Sequence, residues 1–156
     1  MKNGIYFLAF LAFFSACSGT QKKDDKVIES AQDAEMNLSG DSDSDTAHDL
    51  KTIHFGYDSF LLNDEVKTIL KSNASIIKEK NLRIEIEGHC DERGSTQYNI
   101  ALGEKRASVV KNYLGDQGVA LEKLSIVSFG KEKPVDAGHN EAAWAKNRRA
   151  NFVLTK

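Results

Sequence analysis

Along residues 51–156 the apolar side chains change their spacing from two to about three and a half and back again, which restricts the chain to helices packed on a sheet. Thr52–Tyr57 reads as a first strand. Val66, Ile69, Leu70, Ala74 and Ile77 recur at helical spacing and predict an amphipathic helix over Asp64–Glu79. Leu82, Ile84 and Ile86 alternate with Arg83, Glu85 and Glu87, a half-exposed strand ending at Gly88. A polar loop, His89–Gln97, leads to a second helix over Asn99–Gln117, which Gly118 stops. Leu124–Phe129 is a third strand, residues 130–140 form a loop holding the sole proline, Pro134, and Glu141–Lys146 is a helical turn before a last strand, Ala150–Leu154. The expected fold is α+β, in the order β-α-β-α-β-(α)-β, with helices packed on a mixed four-stranded sheet.

Upstream of this pattern the chain has a different character. Lys2 and the unbroken apolar run Ile5–Phe14 have the form of a secretory leader. As a helix the run reaches about 15 Å, roughly half of a bilayer's hydrocarbon core, so it is too short to span. It ends in Phe14-Ser15-Ala16-Cys17, which resembles the bacterial lipobox, although Phe14 replaces the usual Leu. That resemblance implies residues 1–17 are a lipoprotein signal peptide and Cys17 is the acylated residue. The plainer reading is an ordinary leader cleaved near Ala16. Residues 18–50 carry three lysines against nine acids and show no apolar period, which predicts a disordered acidic tether. A flexible chain of that length has an end-to-end distance of roughly 30 Å.

Residues 51–156 carry 17 basic and 14 acidic side chains, a mildly basic domain. No stripe of arginine and lysine interleaved with aromatics occurs in it, so nucleic acid is not the expected partner. Of the two cysteines, Cys17 is committed if acylated, and Cys90 then has no intramolecular partner.

One residue of the second helix breaks its pattern. Leu102, Val109, Val110 and Tyr113 make the apolar stripe, and Arg106 lies on it, four residues after Leu102 and three before Val109. A guanidinium turned inward is costly unless something satisfies it. Asp91 and Glu92, in the loop before this helix, are the nearest source of an anion. If the helix packs over the end of the preceding strand, Asp91 and Arg106 come together. On spacing alone a fold-holding ion pair is the commoner arrangement and a ligand-binding pair the rarer one.

The stretches Glu87-Gly88-His89-Cys90-Asp91-Glu92-Arg93-Gly94 and Tyr98-Asn99-Ile100-Ala101-Leu102-Gly103-Glu104-Lys105-Arg106-Ala107 closely resemble the OmpA-like peptidoglycan-binding domain. More narrowly, they resemble the peptidoglycan-associated lipoprotein (Pal) family. Ser125–Pro134, Gly138–Ala143 and Lys146–Ala150 extend the resemblance over about residues 51–154. It implies that residues 51–156 bind the peptide stem of peptidoglycan without catalysis, centred on diaminopimelate, whose free end is a zwitterion. Asp91 would receive the ammonium and Arg106 the carboxylate. Asp58 matches a further ligand-contacting acid of the family and Leu102 a pocket-lining position; Asn99 is a further candidate, as a residue that positions the loop. The resemblance also implies an outer-membrane lipid anchor facing the periplasm, a role in tying that membrane to the cell wall within the Tol-Pal system, and TolB as a protein partner. A motor-stator anchor carrying the same domain needs a spanning helix that the ten-residue run cannot supply.

An enzyme is the contrasting possibility: a periplasmic peptidoglycan-acting hydrolase using Cys90 or paired carboxylates. Cys90 replaces the small residue expected in the family, and it reads as packed and inert. His89 and Cys90 are adjacent on an extended strand and point to opposite faces, and no zinc-type spacing occurs, so neither a metal nor another cofactor is expected. His54 and His139 read as surface or packing residues. Glu85 and Glu87 read as solvated charges.

Overall fold

The structure, a computed structural model, describes residues 49–155. The leader, Cys17 and all but the last two residues of the tether lie outside the described residues. The elements are β1 (Ile53–His54), α1 (Asp64–Glu79), β2 (Ile84–His89), α2 (Thr96–Asp116), a short 3-10 turn (Leu121–Lys123), β3 (Leu124–Gly130), α3 (Glu141–Asn147) and β4 (Arg149–Leu154). They build a four-stranded sheet in the order β1-β4-β2-β3. The pair β2–β3 is parallel, and β4 runs antiparallel to both β1 and β2. The α+β fold and the mixed sheet expected from the pattern are both present.

Ile84 and Ile86 of β2 and Ala150 and Phe152 of β4 point to one face, where they meet Leu70 and Ile77 of α1 and Val110 and Leu114 of α2. All eight are essentially sealed from solvent. Burying each large apolar side chain contributes about 1.5–3 kcal/mol, and this layer holds the domain together. α1 spans the residues its periodicity predicts, because Asn63 caps it: its side chain accepts from the Val66 amide at 2.8 Å. Asn73, buried in the middle of α1, clasps the backbone of Lys51 through two hydrogen bonds and fixes the chain's entry into β1.

Most boundaries differ from the pattern by a residue or two, and three of the differences have a visible local setting. β1 is two residues long instead of six, because the next backbone carbonyls are taken by arginine side chains. Phe55 O accepts from Arg148, while Gly56 O and Ser59 O accept from Arg106. α2 begins three residues early because Ser95 caps it, its hydroxyl accepting from the Tyr98 amide at 3.2 Å. β2 runs on to His89, with a register shift against β3 between Gly88 and His89.

α2 crosses β2 at two glycines. A Cβ on Gly88 would stand 1.9 Å from the Gly103 carbonyl oxygen, so only backbone-to-backbone contact fits there. That close crossing brings the first turns of α2 down onto the end of β2, where the predicted site residues lie.

Candidate functional site

The C-terminal end of β2, the first turns of α2 and the segment after β1 surround a cavity of about 180 Å³. Asp58, Asp91, Asn99, Leu102 and Arg106, the five residues singled out from the sequence, all line it. Tyr57, Cys90, Arg93, Gly94, Tyr98 and Arg148 complete the wall. The larger cavity, about 390 Å³, opens on the sheet face opposite the helices, among Glu87, His89, Lys133 and Arg149, and holds none of the predicted residues.

Arg106 is fully buried, as its place on the apolar stripe implied. It does not pair with Asp91. Its Nε donates to Ser59 O at 2.9 Å, one terminal nitrogen to His89 O at 2.8 Å and the other to Gly56 O at 3.1 Å. The guanidinium lies 5.1 Å from the centre of the Phe55 ring. Burial lowers its pKa from the usual arginine value. The expectation of an Asp91–Arg106 ion pair is therefore corrected. Carbonyls at the exit of β1 and the end of β2 reach the guanidinium first, and charge-assisted bonds to them satisfy a buried cation without an anion.

Asp91 is nearly buried and pairs with two other arginines. Its Oδ1 accepts from the Arg93 amide at 3.1 Å and from Arg93 Nε at 3.3 Å. Its Oδ2 accepts from an Arg93 terminal nitrogen at 2.7 Å and from Arg148 at 3.3 Å. Burial alone would raise the Asp91 carboxyl; hydrogen bonds from Arg93 and Arg148 outweigh it and hold the pKa below the ordinary carboxylate value. Arg148 in turn reaches Glu141 at 2.7 Å and Phe55 O at 3.1 Å, so α3 and β4 are tied into the same wall.

At the mouth, the Arg93 guanidinium is sandwiched between two aromatic rings, 4.1 Å from the centre of Tyr57 and 4.2 Å from that of Trp144. Trp144 Nε1 donates to Glu92 at 2.8 Å, and His139 meets the other Glu92 oxygen at 2.7 Å. His139, expected to be bland, thus helps pin α3 to the loop that carries Asp91. Asp58 is exposed and in the left-handed region at φ +48°, unusual for a residue with a side chain, and it accepts a hydrogen bond from the Tyr98 hydroxyl. That bond raises the Tyr98 pKa. Asn99 is buried and donates to Arg93 O at 2.9 Å, which fits a loop-orienting role.

Cys90 faces this cavity and His89 the opposite one, as strand alternation requires. The Cys90 thiol lies 3.3 Å from Asn99 O, to which it donates, and burial raises its pKa. Glu87 is not a simple solvated charge: it accepts from His89 Nε2 at 3.4 Å, and its side chain is mostly covered. Among the described residues no group of three or more His, Cys, Asp or Glu is placed to hold a metal ion.

Arg93, Arg148 and the aromatic pair Tyr57 and Tyr98 were not picked out by sequence reasoning. Arg148 carried a signal, since it stands between α3 and the last strand beside Arg149, and two adjacent arginines at such a junction call for anions or carbonyls nearby. Arg93 carried none beyond lying two residues from Asp91.

The model of the OmpA family matches residues 54–148. A peptidoglycan-associated lipoprotein of Pasteurella multocida is 40% identical over 141 residues, spanning 90% of this chain and 89% of that protein. One from Pseudomonas aeruginosa is 46% identical over 111 residues, 71% of this chain and 66% of that protein. The crystal structure of the peptidoglycan-associated lipoprotein from Burkholderia pseudomallei superposes with a TM-score of 0.64 at 43% identity, covering 67% of this chain and 89% of that one. The C-terminal domain of Helicobacter pylori MotB shares the fold, with a TM-score of 0.64 at 23% identity over 68% of this chain and 84% of that one. By its family match, its identity to these relatives and its fold, this chain belongs to the OmpA family and, within it, to the peptidoglycan-associated lipoproteins.

Proposed function

We propose that this chain is a non-catalytic outer-membrane lipoprotein that binds the diaminopimelate-containing stem peptide of peptidoglycan and so anchors the outer membrane to the cell wall. The observation that carries the reading is the cavity itself. It presents a buried carboxylate, Asp91, and an exposed one, Asp58, together with three guanidiniums, Arg93, Arg106 and Arg148. A zwitterion needs such a wall of both signs, an acid for its ammonium and a fork for its carboxylate. In this reading Asp91 receives the ammonium. Arg106 has three N–H groups committed to carbonyls and offers its remaining edge to the carboxylate. Leu102 supplies the apolar floor, Asn99 holds the loop, and Asp58 closes the rim. The names of the relatives support association with peptidoglycan.

The membrane end of the function rests on Cys17 as the acylated residue, with residues 18–50 as the tether to the binding domain. TolB and the other Tol proteins are the proposed protein partners, supported by the family resemblance. An absence of catalysis agrees with the chemistry of the wall. Burial disfavours the thiolate of Cys90, the form a nucleophile needs. Asp91 is occupied by two arginines and is held below the ordinary carboxylate range, the wrong direction for a general acid near neutral pH.

The test is co-sedimentation of the chain with purified diaminopimelate-type peptidoglycan. Wild type is expected in the pellet and free diaminopimelate is expected to release it, whereas Asp91→Asn should remain in the supernatant. Equal pelleting of wild type and Asp91→Asn, untouched by diaminopimelate, would overturn the assignment.

A further inference from the structure

His89 belongs to both faces of the sheet. Its backbone carbonyl accepts from Arg106 at 2.8 Å, one of the three bonds that place that guanidinium in its cavity. Its ring lies on the other face, in the cavity lined by Glu87, Lys133, Arg149 and Asn151. There it stacks on Phe129, with ring centres 5.6 Å apart, and Nε2 meets Glu87 at 3.4 Å. The strand ladder is irregular at this peptide, because the register of β2 against β3 shifts between Gly88 and His89. Ring packing on one face therefore has a large share in where the carbonyl points on the other.

That packing suits an uncharged ring. The side chain is 1% exposed, and Nδ1 is sealed from water without a hydrogen-bond partner. With Nε2–H donating to Glu87, a neutral ring leaves Nδ1 as a bare acceptor. A protonated ring turns it into a charged donor with nothing to receive its hydrogen, which costs more. The surrounding charges act in the same sense. Arg149 on β4 and Lys133 in the loop after β3 oppose a positive ring, and Glu87 on β2 favours it. Asn151 and Phe129 carry no charge, His54 on β1 pairs in register with Arg149, and Arg106 of α2 stands positive behind the carbonyl. Burial, the largest influence, and the two cations outweigh Glu87, so the ring is neutral at neutral pH.

We propose that His89 is a positioning residue for Arg106, through which the opposite face of the sheet controls the binding cavity. Its neutral ring, seated on Phe129 and Glu87, holds its carbonyl on the guanidinium. Protonation unseats the ring, moves the carbonyl and loosens the hold on peptidoglycan in mild acid. The proposal rests on the assignment of Arg106 to the ligand's carboxylate. The neutral form is the binding form and its folded pKa lies below the ordinary 6.5. Retention is therefore full above that value and falls as pH drops through the folded one. The charges that meet across the cavity stay fixed over this range: Asp91 is held below the ordinary carboxylate value, and an ordinary ammonium or carboxylate titrates well outside it.

The experiment measures retention of the full chain on purified diaminopimelate-type peptidoglycan from pH 7.5 to 4.5, with circular dichroism confirming the fold at each pH. Over the same range, without ligand, magnetic resonance follows the His89 ring and the Arg106 Nε–H of the labelled chain. Wild-type affinity should fall by about threefold or more, the course of one proton taken up, and the Arg106 resonance should move with the midpoint of the His89 ring. His89→Gln should show neither the fall nor the Arg106 movement. Lys133→Gln lies outside the binding cavity and removes an opposing cation, so it should carry both midpoints toward neutral pH. Wild-type retention that stays flat, or that falls equally in His89→Gln, overturns the proposal, as does an Arg106 resonance that ignores the His89 midpoint. A wild type that never pellets, with Arg106 still following the ring, upholds the positioning and removes the stem-peptide reading.

Discussion

Replacing Arg106 by alanine removes a cation that three segments share, so the effect on stability is expected to exceed the effect of losing one charge. Three carbonyls, that of buried His89 among them, lose a charged donor at once. The expected cost is about 3–5 kcal/mol, read as a lower urea midpoint. Asp91→Asn behaves differently. It keeps the shape, weakens the bonds to Arg93 and Arg148, and should cost about 1–3 kcal/mol while abolishing retention on peptidoglycan. The two variants separate what spacing alone could not, since an inward arginine and a nearby acid were legible in the sequence but their partners were not. The carbonyls that satisfy Arg106 come from residues 56, 59 and 89, and no pattern of side chains marks which backbone oxygens will be left over by a short strand. Cys90 gives a further check at this scale. With Cys17→Ser leaving it the single thiol, it should react with a disulfide reagent at least about tenfold faster in urea than in buffer, because burial disfavours its thiolate.

The elements were the most legible part of the chain. α1 spans the residues its apolar spacing predicts, because pattern and cap agree at Asn63. β1 was over-read, because TIHFGY has the composition of a strand while its last carbonyls serve Arg106 and Arg148. The crossing of α2 over β2 was not legible either; Gly88 and Gly103 lie fifteen residues apart and only their contact explains both. Gly88→Ala forces a methyl group into the Gly103 carbonyl and should lower stability by about 1–3 kcal/mol, measured by urea unfolding. Because that crossing sets the height of Asp91 against α2, the same variant should also weaken peptidoglycan retention.

Across the whole molecule, the two faces of the sheet respond differently to pH. On the face away from the helices His89 is buried with one ring nitrogen unpartnered, and burial lowers its pKa despite the bond to Glu87. His54 is shifted the same way, by burial and by Arg149 and Arg148. A histidine held neutral in the fold charges more easily when unfolded. Stability from both is therefore full above the ordinary value near 6.5 and declines as pH falls below it toward the folded values. Asp91, with its pKa lowered, contributes a term that stays full above the ordinary carboxylate value near 3.8 and is lost only below it. Urea midpoints should thus fall between pH 7.5 and 5.5, and His89→Gln should flatten part of that slope while Asp91→Asn leaves it unchanged. At this scale the sequence resolved a patterned domain behind an acidic segment, but it could not show that the domain carries two cavities on opposite faces, which depend on how loops 131–135 and 90–95 fold back.

Those two cavities make the central claim directly measurable. Titrating the isotopically labelled chain with a diaminopimelate tetrapeptide and following backbone amide resonances locates the ligand by residue. Binding at the Asp91–Arg106 cavity predicts saturable shifts concentrated at residues 56–59, 90–94 and 98–106, with those of 131–135 and 149–153 little changed. Shifts concentrated at 131–135 and 149–153, with Asp91 and Tyr98 unmoved, would place the ligand on the opposite face and contradict the account.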